Sequence, residues 1–311
     1  MNFFTATLLA VFGVLMSLFM GASSAFDAQV FWLLRVPRTL CGFAIGGGLA
    51  LAGTLVQASL SNPIADPYAL GIASAAALGA ILSNLFFTTQ VFGTSAFAFL
   101  FALAALLGLF FWLRKSFRSS SEILLVGIIS GLFFSSLCTF LMALSDPSSW
   151  SSNISWLLGS LSAPSLLEAV ISTLIILSCL LISWTLWKPL DLLSTSELLA
   201  ENSGVDVVRI RKIVFIIIAL ITAISVSIAG VIGFLGFIVP HALRRSGIKS
   251  HSRLIPISYL CGSGILLCSD VLARSLTRPA ELPVGVIMAL LGAPAFLALF
   301  RNRRLSDHYE T

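Results

Sequence analysis

The sequence has 311 residues, of which 58% are hydrophobic and 10% are charged, and it carries a formal net charge of +5. A soluble globular domain carries about 25% charged residues, so these proportions exclude a water-soluble particle of this size. The basic excess of a membrane protein normally lies in cytoplasmic loops, and we therefore do not interpret it as nucleic-acid binding.

The apolar residues come in blocks of roughly 20, the length at which a helix crosses the bilayer core. Backbone amides in lipid must bond within a helix or a closed barrel, and these blocks lack the alternation of barrel strands. The sequence therefore predicts an all-α polytopic membrane protein with about ten transmembrane helices. The predicted spans are Phe3–Met20, Thr39–Leu60, Ala69–Phe87, Ser95–Leu113, Ile123–Leu144, Leu166–Trp187, Ile213–Ile232, Phe234–Leu243, Leu254–Ala273 and Pro283–Phe300.

Three segments of this pattern are unusual. The first span, Phe3–Met20, lacks a basic leader and an obvious cleavage site, so we expect it to be retained. The eighth, Phe234–Leu243, has half the usual length, begins in the glycine-rich run 230–236 and contains Pro240. A broken helix is tolerated at membrane depth where it is buried or lines a cavity. The stretch Ile154–Leu161 is too short to cross and is expected at the surface.

The lysines and arginines predict the orientation. If the N-terminus lies in the cytoplasm, the inside loops hold 14 of the 18 basic residues, so we expect both termini in the cytoplasm. The four outside cations are all arginines: Arg35, Arg38, Arg274 and Arg278. The planar guanidinium fits carboxylates, so these residues either form a docking site for acidic groups or are helix-end arginines that reach the lipid interface.

Several kinds of chemistry find no support in the sequence. No G-x-x-x-x-G-K-[ST] loop for ATP phosphates occurs. No catalytic constellation and no metal-ligand spacing occur either, and the five cysteines lie inside apolar blocks as small packed residues. We therefore expect no enzymatic site, metal site or cofactor in this chain. The spans lack the mid-membrane charges of ion-coupled carriers, although a secondary transporter or channel that works alone stays an alternative.

Four stretches occur in the order found in one known family. They are Arg35-Val-Pro-Arg38 with GFAIGGGLALAGTLVQASLSNPIADPYALGIASAAALGA up to Ala80; Trp156-Leu-Leu-Gly159-Ser160-Leu161; Leu190-Asp-Leu-Leu193 with Glu197, Ala200, Gly204 and Val205; and GVIGFLGFIVPHALRRSG from Gly230 with Asp270, Arg274, Glu281-Leu-Pro-Val-Gly285 and Leu291-Gly-Ala-Pro294. The chain thereby resembles the FecCD-type permeases of ABC importers, which carry iron–siderophore complexes, haem or cobalamin.

This resemblance implies the type II ABC importer permease architecture, with residues 1–311 forming a single transmembrane domain in the inner membrane of a bacterium or archaeon. It also implies a second copy of the chain, with one translocation path on the two-fold axis. The other implied partners are two ATPase subunits that hold ATP and Mg²⁺, a periplasmic or lipid-anchored binding protein, and membrane lipid. The implied cargo is an iron–siderophore complex by default, or haem or cobalamin.

The resemblance also implies roles for particular residues. Arg35, Arg38 and Arg274 match positions that receive glutamates of the binding protein. Asp270 lies one helical turn before Arg274 and is expected to orient it, or to form a plain structural ion pair.

On the cytoplasmic side, the loop of about 188–212 matches two short coupling helices that contact the ATPase. Glu197, Ala200 and Gly204 keep that pattern, whereas Ser196 and Ser203 replace the usual glycine and leucine. Ser120 and Ser121 resemble small hydroxyl residues of a cytoplasmic gate, although serines at a helix start are often caps.

Overall fold

The computed structural model describes residues 2–20, 27–86, 91–113, 119–145, 150, 153–154, 156–161, 164–277 and 280–306. Within these ranges the chain forms helices and no β-strand, which confirms the all-α prediction. The helices of six residues or more are α1 Phe3–Phe19, α2 Ala28–Ser59, α3 Ile72–Phe86, α4 Val91–Trp112, α5 Ser120–Leu144, α6 Leu166–Thr185, α7 Trp187–Thr195, α8 Glu197–Asn202, α9 Val207–Ala229, α10 Leu235–Arg245, α11 His251–Ser275 and α12 Val284–Ser306.

Ten of these helices correspond to the ten predicted spans. Among the described helices, α2, α4, α5, α6, α9 and α11 are long and apolar enough to cross a membrane. Three further apolar helices, α1, α3 and α12, have apolar segments shorter than those six. Helix α10 is the predicted half-length helix. The remaining two, α7 and α8, lie between the sixth and seventh spans.

Contacts between helix termini define two ends of the bundle. At the first, called the α7/α8 end, the Ser61 hydroxyl donates to the Leu193 carbonyl oxygen (2.7 Å), and the Trp184 indole donates to the Ser252 carbonyl oxygen (3.1 Å). Asn2 lines the same groove as Trp184 and Ser252, so the chain enters the bundle at this end. The opposite end, called the arginine end, holds Arg35, Arg38, Asp270, Arg274 and Glu281.

Glycines allow the central helices to pack backbone against backbone. Gly46 of α2 and Gly262 of α11 each face the other's carbonyl group, with no room for a Cβ at either position. Such close approach is how helices associate in lipid, where burial of apolar surface gives little driving force. Gly46 and Gly262 are therefore packing residues that hold α2 against α11.

The predicted break before α10 is confirmed. Helix α9 ends at Ala229, and both Gly230 and Phe234 have positive φ values, of 67° and 71°, before α10 begins. Within the break, the Ile232 amide donates to the Tyr68 hydroxyl at 3.2 Å. That bond satisfies a backbone donor that would otherwise be costly inside a membrane.

Two predicted helix starts are wrong, and both errors involve arginines. Helix α2 begins at Ala28 rather than at Thr39, so Arg35 and Arg38 lie on the helix and not in an outer loop. Helix α9 begins at Val207 rather than at Ile213, which places Arg211 inside it. The apolar pattern begins only after these arginines, so it predicts helices that start too late. The helices start earlier because other groups of the protein compensate the buried guanidinium groups.

The stretch Ile154–Leu161 is only partly at the surface, contrary to the prediction. Ile154 is exposed, but Leu161 is 1% exposed. Gly159 has φ of 73° and lies against the backbone of Val231. The left-handed turn at this glycine directs the chain inward, and local hydropathy does not report such a turn.

Candidate functional sites

The arginine end is built around one carboxylate. Arg38 donates to Asp270 through Nη2 at 2.8 Å and through Nε at 3.2 Å, and its Nη1 donates to Glu281 at 2.8 Å. Arg274 Nη2 lies 2.9 Å from the other oxygen of Asp270, one helical turn away. The predicted pair between Asp270 and Arg274 is therefore present, and Asp270 also holds an arginine from α2.

This network lies mostly inside the protein. The Asp270 side chain is 1% exposed and that of Arg38 is 12% exposed. Arg35 is also buried and donates to the Leu18 carbonyl oxygen at 3.0 Å. The expectation of four cations in outer loops is thus wrong for Arg35, Arg38 and Arg274, which lie on helices, and Arg278 lies outside the described residues.

Glu281 is the accessible member of the network, with its side chain 38% exposed. The five side chains of this end comprise three guanidinium groups and two carboxylates, which leaves one excess positive charge. A carboxylate arriving from outside would compete with Glu281 for Arg38. The sequence does not predict Glu281 as a site residue, because Glu281 and Arg38 lie far apart along the chain and no local pattern contains their contact.

The α7–α8 segment has the predicted form of two short helices. Ser196 joins them with φ of −165°, an extended conformation open to any residue, so the glycine usual there is not needed. Gly204 follows α8 with φ of 82°, and the Val205 amide donates to the Ala200 carbonyl oxygen at 3.0 Å. This is the Schellman pattern, in which glycine at C′ avoids a steric penalty.

The three predicted coupling residues have different surroundings. Ala200 is fully buried and packs with Leu193 and Val207. Gly204 lies in open space, and Glu197 forms an ion pair with Arg211. The large apolar side chains that α8 exposes are instead Leu198 and Leu199, at 71% and 45%.

Leu198 and Leu199 were missed as candidate contacts. A signal was available in the sequence, because Leu198 and Leu199 are adjacent apolar residues in the predicted loop, outside the apolar blocks. Leu198 and Leu199 lie outside the predicted spans, so we do not expect lipid to cover their exposed side chains. An exposed apolar pair of this kind is typical of a protein contact.

The serines at the start of α5 have separate roles. The Ser119 hydroxyl accepts the Glu122 amide at 3.2 Å, so Ser119 is the helix cap. The Ser120 hydroxyl accepts from Arg211 Nη2 at 2.7 Å, and Ser121 is exposed. Ser119, rather than Ser120 or Ser121, is therefore the cap of α5. Ser120 and Ser121 both stay candidates for the gate.

Metal chemistry receives no support from the part of the chain that the structure describes. No group of three or more His, Cys, Asp or Glu side chains is placed there to hold an ion. The five cysteines are unpaired thiols, four of them buried.

Comparisons with known proteins give one consistent result. Residues 2–302 match the FecCD transport family. The vitamin B12 import system permease protein BtuC of Vibrio cholerae is 34% identical over 286 residues, covering 90% of this chain and 86% of that protein. BtuC of Klebsiella pneumoniae is 33% identical over 313 residues, covering 97% and 93%.

Solved structures agree with the sequence relatives. A chain described as an inward-facing conformation of a metal-chelate type ABC transporter has a TM-score of 0.88 and 32% identity, with 96% of this chain and 98% of that chain covered. PsaBC from Streptococcus pneumoniae, in complex with Fab, has a TM-score of 0.56 at 18% identity and supports the fold alone. The chain belongs to the FecCD transport family and is a multi-pass permease of an ABC importer in the inner membrane.

Proposed function

We propose that this chain is the translocation subunit of an importer that moves a bulky metal chelate and is powered by ATP in separate subunits. The observation that carries the proposal is the arrangement of one bundle with a buried arginine network at one end and two short helices at the other. An iron–siderophore complex is the default cargo. Cobalamin is the first alternative, since the curated relatives are named vitamin B12 permeases, and haem is the second.

The cargo would arrive on a periplasmic or lipid-anchored binding protein that docks at the arginine end. Arg35, Arg38 and Arg274 would receive acidic groups of that protein, with Asp270 fixing the orientation of two of them. The excess positive charge of the network and its half-exposed edge at Glu281 support a partner that presents carboxylates.

Two ATPase subunits, with their ATP and Mg²⁺, would bind the α7–α8 segment. Support comes from the exposed Leu198 and Leu199, and from the rigid attachment of α8 through Glu197, Ala200 and the turn at Gly204. ATP would favour the closed ATPase pair through its differential affinity for that state, and α8 would carry the motion into the bundle.

A second copy of the chain would complete the path along a two-fold axis, within a single transmembrane domain of residues 1–311. The α7/α8 end would face the cytoplasm together with both chain termini, as the charge bias indicates. Ser120 and Ser121 would lie at the cytoplasmic gate, because small hydroxyl side chains pack closely when the gate is shut and accept water when it is open. The position of Ser120 at the α7/α8 end supports this role.

Reconstitution in liposomes with the purified ATPase and binding protein tests the proposal. We expect uptake of a ferric siderophore, cobalamin or haem that requires ATP and stops when the ATPase is catalytically dead. The chelate that raises the melting temperature of the binding protein identifies the cargo. Uptake that persists with the dead ATPase and follows an imposed proton or sodium gradient would contradict the proposal in favour of a secondary transporter.

A further inference from the structure

Arg211 is a fully buried arginine near the start of α9, at the α7/α8 end. Burying a guanidinium group is costly unless hydrogen bonds and opposite charge compensate it. The sequence pattern placed Arg211 in a loop as one of several cytoplasmic cations. Because Arg211 is buried, its charge must be compensated by partners within the protein.

The partners of Arg211 come from three different elements. Its Nε donates to the carbonyl oxygen of Ser59, the last residue of α2, at 2.9 Å. Its Nη2 donates to the Ser120 hydroxyl at 2.7 Å and forms an ion pair with Glu197 of α8. One guanidinium group thus joins α8 to the first residue of α5, and a single nitrogen makes both of these contacts.

We propose that Arg211 is a positioning residue that transmits movement of α8 to the start of α5. The proposal rests on the proposed function, in which α8 contacts the ATPase and Ser120 lies at the gate. The proposal adds a connection between α8 and the gate. This connection is one nitrogen of Arg211, which donates to both Glu197 and Ser120.

The geometry explains how the connection works. The bond from Nε to Ser59 fixes one edge of the planar guanidinium group to α2. When Glu197 moves with α8, the group turns about that fixed edge and Nη2 leaves Ser120. Hydrogen bonds from nitrogen to oxygen span about 2.7–3.2 Å, so a displacement of about 1 Å takes Nη2 out of hydrogen-bond range of the Ser120 hydroxyl. Lysine lacks the planar fork and cannot hold all three partners in this geometry.

The test compares Arg211→Met, Arg211→Lys, Glu197→Gln and Ser120→Ala in the reconstituted importer. The readout is the number of ATP molecules consumed per molecule of cargo transported. Arg209→Met is the matched control, because Arg209 is exposed on the same helix two residues earlier. We expect Arg211→Met and Glu197→Gln to raise the ratio about ten-fold, the effect of one lost charge-assisted hydrogen bond, and Arg209→Met to leave it unchanged.

The double variants distinguish transmission from a merely structural role. We expect Glu197→Gln to add little when Arg211 is already Met, because both changes break the same connection. We expect Arg211→Lys to fold like the wild type, because it keeps the positive charge, but to consume as much ATP per molecule of cargo as Arg211→Met. A ratio that stays at the wild-type value in Arg211→Met, or additive effects in the double variant, would overturn the inference.

Two further controls complete the design. If Arg211→Met fails to fold, then Glu197→Gln, Ser120→Ala and their combination decide the question by the same ratio and the same additivity. If the wild-type chain shows no ATP-driven uptake, the proposed function is wrong. If the wild-type chain shows ATP-driven uptake and Arg211→Met consumes the wild-type number of ATP molecules per molecule of cargo, only the inference about Arg211 is wrong.

Discussion

The Asp191 carboxylate of α7 caps α11 through His251. Its Oδ1 accepts the His251 amide at 2.7 Å and lies 2.6 Å from His251 Nδ1, while Oδ2 accepts the Ser250 hydroxyl at 2.8 Å. Ser250, at the N-cap position, makes no capping bond through its own side chain. Helix α11 has 25 residues, a length of about 37 Å, and reaches Asp270 and Arg274 at the other end. One helix therefore connects the α7–α8 segment with the arginine network.

Asp191→Ala tests this cap. We expect it to lower the free energy of unfolding by about 1–2 kcal/mol, because the His251 amide and the Ser250 hydroxyl lose their acceptor. Thermal unfolding in detergent measures the loss. Glu201→Ala is the control, since Glu201 is an exposed acid on the neighbouring α8, and it should change stability by less than about 0.5 kcal/mol. Equal effects of the two substitutions would show that Asp191 is no cap.

Glu281→Gln tests competition at the arginine end. The side chain of Glu281 pairs with Arg38 and is half-exposed, so in the proposed docking it competes with an acidic group of the binding protein. Removing its charge should tighten docking by about two- to five-fold, the range of an exposed ion pair. Titration of the labelled binding protein onto the reconstituted permease measures the affinity, with Arg38→Met expected to weaken it. Weaker docking by Glu281→Gln would mean that Glu281 itself contacts the partner.

Asp270→Asn should be the most destabilising change in the arginine network. It leaves Arg38 and Arg274 close together without the carboxylate that both contact, at a cost of about 3–5 kcal/mol. Thermal unfolding in detergent should show a large decrease in Tm, partly restored by adding Arg274→Gln. Glu122→Gln, an exposed acid at the start of α5, is the control. An unchanged Tm for Asp270→Asn would contradict the buried pairing.

The same burial affects the choice of docking variants. Charge reversal of Arg38 or Arg274 places a second carboxylate beside Asp270 in a site that excludes water, so loss of docking would be confounded by loss of folding. Neutral substitutions of similar length, such as Arg38→Met and Arg35→Met, separate the two effects. The binding-protein affinity is then compared at equal amounts of folded permease.

Local sequence patterns predicted much of this structure, and long-range contacts account for what they missed. The spans and the break at Gly230 follow from composition and backbone chemistry, and the pair of Asp270 and Arg274 follows from helical spacing. The partners of Arg38 and Arg211 come from distant parts of the chain. A hydropathy pattern counts such arginines as loop residues because it does not contain those partners.

Leu198→Ser tests whether the exposed face of α8 contacts the ATPase. Leu198 is 71% exposed outside the membrane spans, and burying a leucine at an interface contributes about 1.5–3 kcal/mol. The substitution should therefore weaken ATPase binding at least about ten-fold, without lowering the Tm of the isolated permease. Leu276→Ser is the control, because Leu276 is 62% exposed near the arginine end. Binding is measured by titrating ATPase onto permease in nanodiscs.

Ala200→Trp should weaken the same binding by a different route. Ala200 is fully buried against Leu193 and Val207, so an indole cannot fit without separating α7 from α8. We expect this variant to lose ATPase binding together with a lower Tm, whereas Leu198→Ser loses binding alone. The difference between the two variants assigns the contact to the exposed leucine and the packing to the buried alanine. Normal ATPase affinity in Leu198→Ser would place the contact elsewhere, and normal affinity in both would remove α8 from the interface.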